Sequence, residues 1–132
     1  LGNLNAKRDW GYAPEYVEGM WLMLQQDKPE DFVMATGVNH TIREFAELTF
    51  KELDIIIEWQ GSEENEIGVD SKTGKKIIGI DETYYRPTEV EQLLGDATKA
   101  KETLGWEAKT SFEDLVKRMI HADWEKVRNR GF

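Results

Sequence analysis

The sequence predicts a single folded domain of the α/β class, and three observations support this prediction. Short apolar or β-branched runs alternate with segments of helical periodicity in the first half of the chain. Hydrophobic residues make up 39% and aromatic residues 11% of the chain, which is too apolar for disorder. The length of 132 residues suits a single domain with a real core, and no linker or internal repeat divides residues 1–132.

The composition argues against several kinds of partner and chemistry. The formal net charge is −9, whereas nucleic acids and anionic membranes select basic surfaces. The chain has no cysteine, so it offers neither disulfides nor thiolate chemistry. It contains no signal peptide and no apolar run long enough for a bilayer, and we expect a cytoplasmic protein. The missing initiator methionine and a start inside an apparent strand lead us to expect a fragment, although a tag or a processing site could also explain them.

The first element is the end of a strand, followed by a turn and an amphipathic helix. Residues 1–4 are predicted to be the strand end, and Pro14 suits the first turn of the helix. Apolar side chains then recur at i, i+3, i+4 and i+7: Val17, Met20, Trp21 and Leu24. The cations Lys7 and Arg8 lie in the turn, where α/β proteins receive anionic ligands. A solvated turn is the alternative.

A second strand, helix and strand follow. Residues 32–36 are predicted as a short buried strand, and Thr41 with Glu44 forms a capping box that starts a helix. The buried face of that helix is predicted to contain Ile42, Phe45, Ala46, Thr49 and Leu53. The β-branched and aromatic run at residues 55–59 predicts the next strand.

The second half begins with a polar stretch and ends with two helices. Residues 61–76 predict a surface loop or loose hairpin, leading to a strand at residues 76–81. Asp96 is placed to cap a helix over residues 98–104 that Gly105 ends, and Ser111 caps the last helix. The last helix keeps its apolar period through Phe112, Leu115, Val116, Met119, Ile120 and Val127.

No metal site is predicted. The acidic residues of the polar stretch lack the ligand spacing of a calcium-binding loop and are predicted to be solvated: Glu63, Glu64, Glu66 and Asp70. His40 and His121 lie far apart, without the spacing of paired metal ligands.

Four stretches of the chain carry a resemblance to a known family: GNLNAKRDWGYAPEYVEGMW, ATGVNHTIREF, YYRPTEVEQLLGD and TKAKETLGW. In this order and spacing they resemble the C-terminal part of the GDP-mannose 4,6-dehydratases, which are extended short-chain dehydrogenases/reductases acting on a nucleotide sugar. The resemblance implies that residues 1–132 are the substrate-binding part of such an α/β enzyme, without its N-terminal Rossmann portion. The isolated piece would then count as α+β.

The resemblance also implies three substrate-binding residues. Arg8 of the RDW stretch would bind the GDP diphosphate, because a guanidinium matches phosphate oxygens bidentately. Arg86 and Glu89 of the RPTE stretch would line the same pocket. Their chemistry suits a sugar nucleotide, since a carboxylate accepts hydrogen bonds from sugar hydroxyls or a base amine. A weak surface salt bridge between Arg86 and Glu89 is the alternative.

Three neighbours of Arg8 are predicted to be structural. Asp9 can fix the turn or orient Arg8. Trp10 can pack beneath the turn, because an indole combines a large apolar body with one polar group. Tyr16 is assigned to the same structural group.

No catalytic or cofactor-binding residue is predicted. No two glycines stand two apart, so the dinucleotide fingerprint does not occur in these residues. No tyrosine is followed four residues later by lysine. In this reductase family, a tyrosine and a lysine at that spacing serve together as the catalytic base. The resemblance implies that the intact enzyme uses NADP, bound elsewhere, to convert GDP-mannose to GDP-4-keto-6-deoxymannose. We therefore expect the chain alone to be inactive.

Three alternatives remain open. The chain could belong to a relative acting on a UDP- or CDP-sugar, because the RDW arginine reads phosphate rather than the base. It could be a nucleotide-sugar-binding module without chemistry, or an interaction domain that binds no sugar. We also expect some self-association, because a strand at residues 32–36 without its sheet would leave an exposed edge.

Overall fold

The computed structural model describes residues 1–86 and 93–130. In chain order the elements are β1 (Lys7–Arg8), α1 (Ala13–Leu24), β2 (His40–Thr41), α2 (Ile42–Lys51), β3 (Ile57–Gln60), β4 (Ile67–Asp70), β5 (Lys76–Gly79), α3 (Thr98–Leu104) and α4 (Phe112–Arg130). One 3-10 turn at Glu63–Asn65 precedes β4. The mixture of helices and strands confirms the predicted fold class.

The strands form two small antiparallel sheets. β1 pairs with β2, so that Lys7 lies opposite Thr41 and Arg8 lies opposite His40. β3, β4 and β5 form a three-stranded sheet in chain order. The β4–β5 pair confirms the hairpin predicted for the polar stretch, although β4 itself was not foreseen. Every strand pair among the described residues is antiparallel.

The core has two parts, one where the start of α4 meets α2 and the small sheets, and one beside α1 at Ala100 and Trp106. Its buried apolar side chains belong to Leu4, Ala6, Ala46, Val69, Ile78, Ala100, Trp106, Phe112, Leu115 and Val116. The Trp10 ring lies 5.2 Å from the Phe45 ring and 5.6 Å from the Phe112 ring, measured between centroids. This aromatic cluster joins the end of β1 to both α2 and α4.

Three predicted helix ends are confirmed in atomic detail. Thr41 Oγ1 accepts from Glu44 N, and Thr41 N donates to Glu44 Oε2, which completes the capping box at the start of α2. Gly105 ends α3 with φ of 68°, in the left-handed region that glycine adopts most easily. The Ser111 hydroxyl accepts from Asp114 N at the start of α4.

Two predicted strands are wrong, at residues 1–4 and 32–36. Leu1 does use its main chain, since its amino group donates to the Gly79 carbonyl and its own carbonyl accepts from Asp81 N. Residues 4 and 5 nevertheless form a turn. Residues 32–36 join no ladder among the described residues, and Thr36 N donates instead to the Asp9 carboxylate. An apolar run becomes a strand only when a neighbouring main chain pairs with it.

The predicted apolar face of α1 exists, but it points to solvent. Val17, Met20, Trp21 and Leu24 are each at least 57% exposed. The buried position of α1 is Gly19, where an added Cβ would lie 2.9 Å from the Trp106 ring and closer still to Met34. Helical periodicity therefore identified a face of α1 without indicating what covers it.

The longest helix, α4, has 19 residues, and its buried side chains all lie in the first two turns. Its last ten residues, 121–130, are exposed throughout. Among residues 1–86 and 93–130, the helices lack the combination of length and hydropathy that a bilayer span requires.

An ion pair between α2 and the segment before β4 was missed by the sequence analysis. Arg43 donates to the two carboxylate oxygens of Glu66 at 2.5 and 2.9 Å, and its guanidinium lies 4.6 Å from the Trp59 ring centroid. The prediction that Glu66 is solvated is therefore wrong, since only 12% of its side chain is exposed. Glu63 and Glu64, on the preceding turn, are exposed as predicted.

We expect Arg43→Ala to lower the free energy of unfolding by about 1–3 kcal/mol, because it leaves the largely buried Glu66 carboxylate unpaired. Urea denaturation monitored by circular dichroism measures the change. Lys126→Ala is the matched control, because the Lys126–Asp123 pair is exposed on both sides. Its effect should stay within about 0.5 kcal/mol. Equal effects of the two substitutions would contradict the structural importance of the Arg43–Glu66 pair.

Candidate functional site

The RDW tripeptide lies where β1 ends and the chain turns toward α1. Arg8 is the last residue of β1 and is exposed. Its Nη1 donates to the Lys7 carbonyl at 2.8 Å. The antiparallel pairing with His40 holds the main chain of Arg8 against β2. The structure therefore presents a guanidinium at the surface from a backbone that is fixed by a strand pair.

Asp9 binds the turn that follows residues 32–35. Its Oδ2 accepts from Thr36 N and from Gly37 N, each at 3.0 Å, and its Oδ1 accepts from the Thr36 hydroxyl at 2.5 Å. Gly37 has φ of 79°, a conformation that favours glycine. These three bonds give Asp9 a structural role, as predicted, but they fix the turn at Thr36 and Gly37, 27 and 28 residues away, rather than the turn that contains Lys7 and Arg8.

Aromatic rings support the other side of the tripeptide. Besides the contacts of Trp10, the His40 ring stacks on Phe112 with centroids 3.9 Å apart. His40 Nδ1 lies 3.0 Å from Glu44 Oε2, the same oxygen that caps α2. The residue opposite Arg8 in the strand pair is thus held by both α2 and α4. This packing agrees with the structural role predicted for Trp10.

Glu15 ties the start of α1 to the segment between α3 and α4. Its carboxylate accepts from Thr110 N at 3.0 Å, from the Thr110 hydroxyl at 2.9 Å and from Lys109 N at 3.2 Å. Its carbonyl accepts from the Trp106 indole at 2.6 Å. Sequence reasoning missed this role, because the partners lie more than 90 residues away.

The structure describes Arg86 and not Glu89. Arg86 is exposed and is the last described residue before position 93, and Glu89 lies outside the described residues. The chain on the near side of this segment is held to the first residues, because Asp81 N donates to the Leu1 carbonyl at 2.8 Å, and Gly2 lies so close to the Tyr84 carbonyl that an added Cβ would overlap it. On the far side, Asn39 Nδ2 donates to the Leu93 carbonyl at 2.9 Å. Gly2 precedes β1 and Asn39 directly precedes β2, so both anchors flank the strand pair that carries Arg8.

A cleft of about 600 Å³ runs beside the tripeptide, between α1 and residues 33–35. Its walls are mostly apolar, with Asp9 at one end, and include Trp10, Tyr16, Val17, Met20, Val33 and Met34. Apolar walls do not suit a diphosphate, whose charge requires cations or hydrogen-bond donors. The cleft therefore belongs with the exposed apolar face of α1 rather than with Arg8.

The described residues do not fit a dinucleotide or a metal ion. A dinucleotide pyrophosphate sits at a glycine-rich turn between a strand and a helix in a parallel sheet. The strand pairs of residues 1–86 and 93–130 are all antiparallel, and the glycine spacing is missing. Within the same ranges, no three His, Asp or Glu side chains form a group that could hold a metal ion.

Comparison with known proteins identifies the family. The family profile described as GDP-mannose 4,6 dehydratase matches residues 1–119. The chain belongs to the GDP-mannose 4,6-dehydratase family. Among its relatives, the GDP-mannose 4,6 dehydratase of Dictyostelium discoideum is 62% identical over 129 residues, and that of Homo sapiens is 56% identical over 128 residues. The predicted family is therefore confirmed.

The match spans only part of these family members. It covers 98% of this chain and 36% of the Dictyostelium protein, and 97% of this chain and 34% of the human protein. The chain thus spans about a third of the length of the relatives that it matches. A solved structure of RMD from Pseudomonas aeruginosa, complexed with NADPH, aligns with a TM-score of 0.68 over 96% of this chain and 35% of that one. At 15% identity this likeness supports the fold alone.

Burial raises the pKa of Tyr16 above its usual value of 10.0, and the carboxylates of Asp9 and Glu15 raise it further. We therefore expect the phenolate of Tyr16 to form above pH 10.0. Because the folded state favours the neutral phenol, the stability it contributes is present below pH 10 and is lost as the pH rises through the higher folded pKa.

The difference in phenolate absorbance between the wild type and Tyr16→Phe during an alkaline titration measures this ionisation. A midpoint at or below the usual tyrosine pKa would contradict the burial of Tyr16 beside the two carboxylates. Tyr84→Phe is the control, because Tyr84 is exposed. Tyr84→Phe should leave the phenolate absorbance that appears at the highest pH unchanged, because that absorbance belongs to Tyr16.

Proposed function

We propose that residues 1–132 act as one substrate-binding unit of a GDP-mannose 4,6-dehydratase, a lyase. In this proposal the chain binds GDP-mannose, which the intact enzyme converts to GDP-4-keto-6-deoxymannose. The observation that carries the proposal is the exposed Arg8 at the end of a fixed strand pair, in a chain that belongs to this family. A guanidinium in that position offers bidentate donors to a diphosphate.

We assign Arg8 to the diphosphate and Arg86 with Glu89 to the remaining nucleotide-sugar contacts. The anchors of the segment between positions 84 and 93 support this assignment, because they hold both of its ends beside β1 and β2. A contact held near β1 before ligand binds, as at Arg8, loses little conformational entropy on binding.

We further propose that the chain alone is catalytically inactive and that the intact enzyme is cytoplasmic and uses NADP. RMD, which shares the fold, is complexed with NADPH, and our proposal assigns the same kind of cofactor to the intact enzyme. The antiparallel sheets support a cofactor site outside the described residues, since they offer no turn suited to a pyrophosphate. NADP supplies a hydride acceptor and donor, and the proposed part of this chain is to hold the sugar nucleotide.

Thermal melts test the binding proposal. GDP-mannose and GDP should raise the midpoint, because a ligand at 100 times its Kd stabilises the native state by about 2.7 kcal/mol. UDP-glucose should shift it much less. Arg8→Ala and Arg86→Ala should each weaken GDP binding by roughly 10- to 100-fold, the loss expected when a charge-assisted hydrogen bond is removed. Arg128→Ala is the control, since Arg128 lies in the exposed last turn of α4.

Each other outcome favours a named alternative. Equal shifts with UDP-glucose would favour a relative that acts on another nucleotide sugar. Binding that survives both Arg8→Ala and Arg86→Ala would remove these residues from the site. A cooperative melt that no nucleotide shifts would contradict the binding unit and favour a scaffold or interaction role.

We also propose that the chain self-associates through the exposed apolar face of α1 and residues 32–35. Trp21 and Val33 are more than half exposed, and the main chain of residues 32–35 pairs with no described residue. A second copy suits this surface, because an unpaired extended segment can pair antiparallel with the same segment of another copy.

Sedimentation velocity over a range of protein concentrations should therefore show a species heavier than the monomer. Trp21→Glu should shift the distribution to monomer, because it introduces a charge into the apolar face. Trp124→Glu is the matched control, because Trp124 on α4 is exposed to a similar extent. A monomer at every concentration, or equal effects of the two substitutions, would contradict the proposed interface.

A further inference from the structure

We infer that Asp9 is a positioning residue for Arg8, which acts by binding the turn at Thr36 and Gly37. The inference deepens the proposed function, since it rests on the assignment of Arg8 to a diphosphate. It assigns a second residue of the RDW stretch to nucleotide-sugar recognition, without placing it in contact with the ligand. Two observations support it, the hydrogen bonds of the main chain before Arg8 and those of the Asp9 carboxylate after it. The planar peptide that joins the two residues connects them.

The main chain before Arg8 is held by hydrogen bonds to β2 and α2. Ile42 N donates to the Ala6 carbonyl at 3.1 Å, and Arg43 N donates to the Leu4 carbonyl at 3.0 Å. Arg8 itself lies in the register of β1 with β2. After Arg8 the strand ends, and α1 begins only at Ala13. In the residues directly after Arg8, the Asp9 carboxylate holds the chain through its hydrogen bonds to Thr36 and Gly37.

The Asp9 carboxylate is fixed by three donors from one turn. Two successive main-chain N–H groups, of Thr36 and Gly37, converge on Oδ2, and the Thr36 hydroxyl donates to Oδ1. Consecutive N–H groups that point to one place form a concave site for an anion. Bonds to an ionised acceptor are shorter and stronger than bonds between neutral groups. Asp9 therefore has a defined position relative to the turn.

A fixed Asp9 restricts Arg8 because the two residues share one planar peptide. Their Cα atoms are held about 3.8 Å apart, and only the backbone dihedrals on either side of the peptide stay free. The strand pair restricts those of Arg8 and the carboxylate restricts those of Asp9. The base of the arginine side chain is thereby fixed before ligand binds, which lowers the entropy lost on binding.

A double-mutant cycle on GDP binding tests whether Asp9 acts through Arg8. Isothermal titration of the 132-residue chain with GDP would compare the wild type, Asp9→Asn, Arg8→Ala and the double variant. Asparagine keeps the shape of aspartate but removes the charge and one acceptor, so the bonds from the Thr36 and Gly37 N–H groups to its remaining oxygen are weaker and the Thr36 hydroxyl must turn to accept from the amide. We expect Asp9→Asn to weaken binding on the order of tenfold in the wild type and to have no further effect on Arg8→Ala.

Asp27→Asn is the matched control, because Asp27 is an exposed aspartate in the bend after α1, and it should leave GDP affinity unchanged. The inference is overturned if Asp9→Asn weakens binding by the same factor with and without Arg8. That result would mean that Asp9 acts on the fold or the ligand independently of Arg8.

A second measurement needs no ligand. In ¹⁵N relaxation spectra, the Arg8 Nε–H signal, assigned by its loss in Arg8→Ala, should become more mobile in Asp9→Asn. Thr36→Val, which removes one donor and keeps Asp9, should give a smaller change of the same sign and carries the test if Asp9→Asn does not melt cooperatively. Unchanged Arg8 mobility in the folded variants would overturn the inference. Increased mobility in a chain that does not bind GDP would support Asp9 as a positioning residue while contradicting the proposed function.

Discussion

The packing of Trp10 between Phe45 and Phe112 is the contact on which the rest of the described structure depends. It joins three segments that are far apart in the sequence: the end of β1, α2 and α4. The strand pair β1–β2 is only two residues long and could not order the opening stretch by its hydrogen bonds alone. Large aromatic rings supply the buried area that a short ladder lacks. The surface position of Arg8 is thus a result of core packing two residues away, at Trp10.

Polar side chains hold the loops against the segments that the aromatic packing joins. Asp9 binds the turn at Thr36, Glu15 binds the segment at Thr110, and Arg43 binds Glu66. In the first two cases a carboxylate accepts from main-chain N–H groups that belong to no sheet. Loops fixed in this way keep a defined shape without adding regular secondary structure. On the far side of position 89 an amide side chain takes this part, because Asn39 Nδ2 donates to the Leu93 carbonyl.

Sequence reasoning was successful where the determining chemistry is local. The capping box of α2, the glycine after α3 and the serine before α4 each involve residues within a few positions of one another. It failed where a distant partner decides the outcome. Residues 32–36 have the composition of a strand but no described strand beside them, and Glu66 is paired with a cation 23 residues away. The site residues followed from family resemblance, because local chemistry alone left Arg8 as one of many surface cations.

The close approach at Gly19 links the evolution of three distant positions. A side chain at Gly19 would overlap both Met34 and the Trp106 ring, so the distance of α1 from this layer is set by the missing Cβ. A larger residue at Gly19 requires the end of the Met34 side chain to move and the Trp106 ring to shift, or smaller residues at these two positions. Residues 19, 34 and 106 should therefore change together across the family. An inherited alanine or serine at position 19 would mark a lineage in which this layer has been rebuilt.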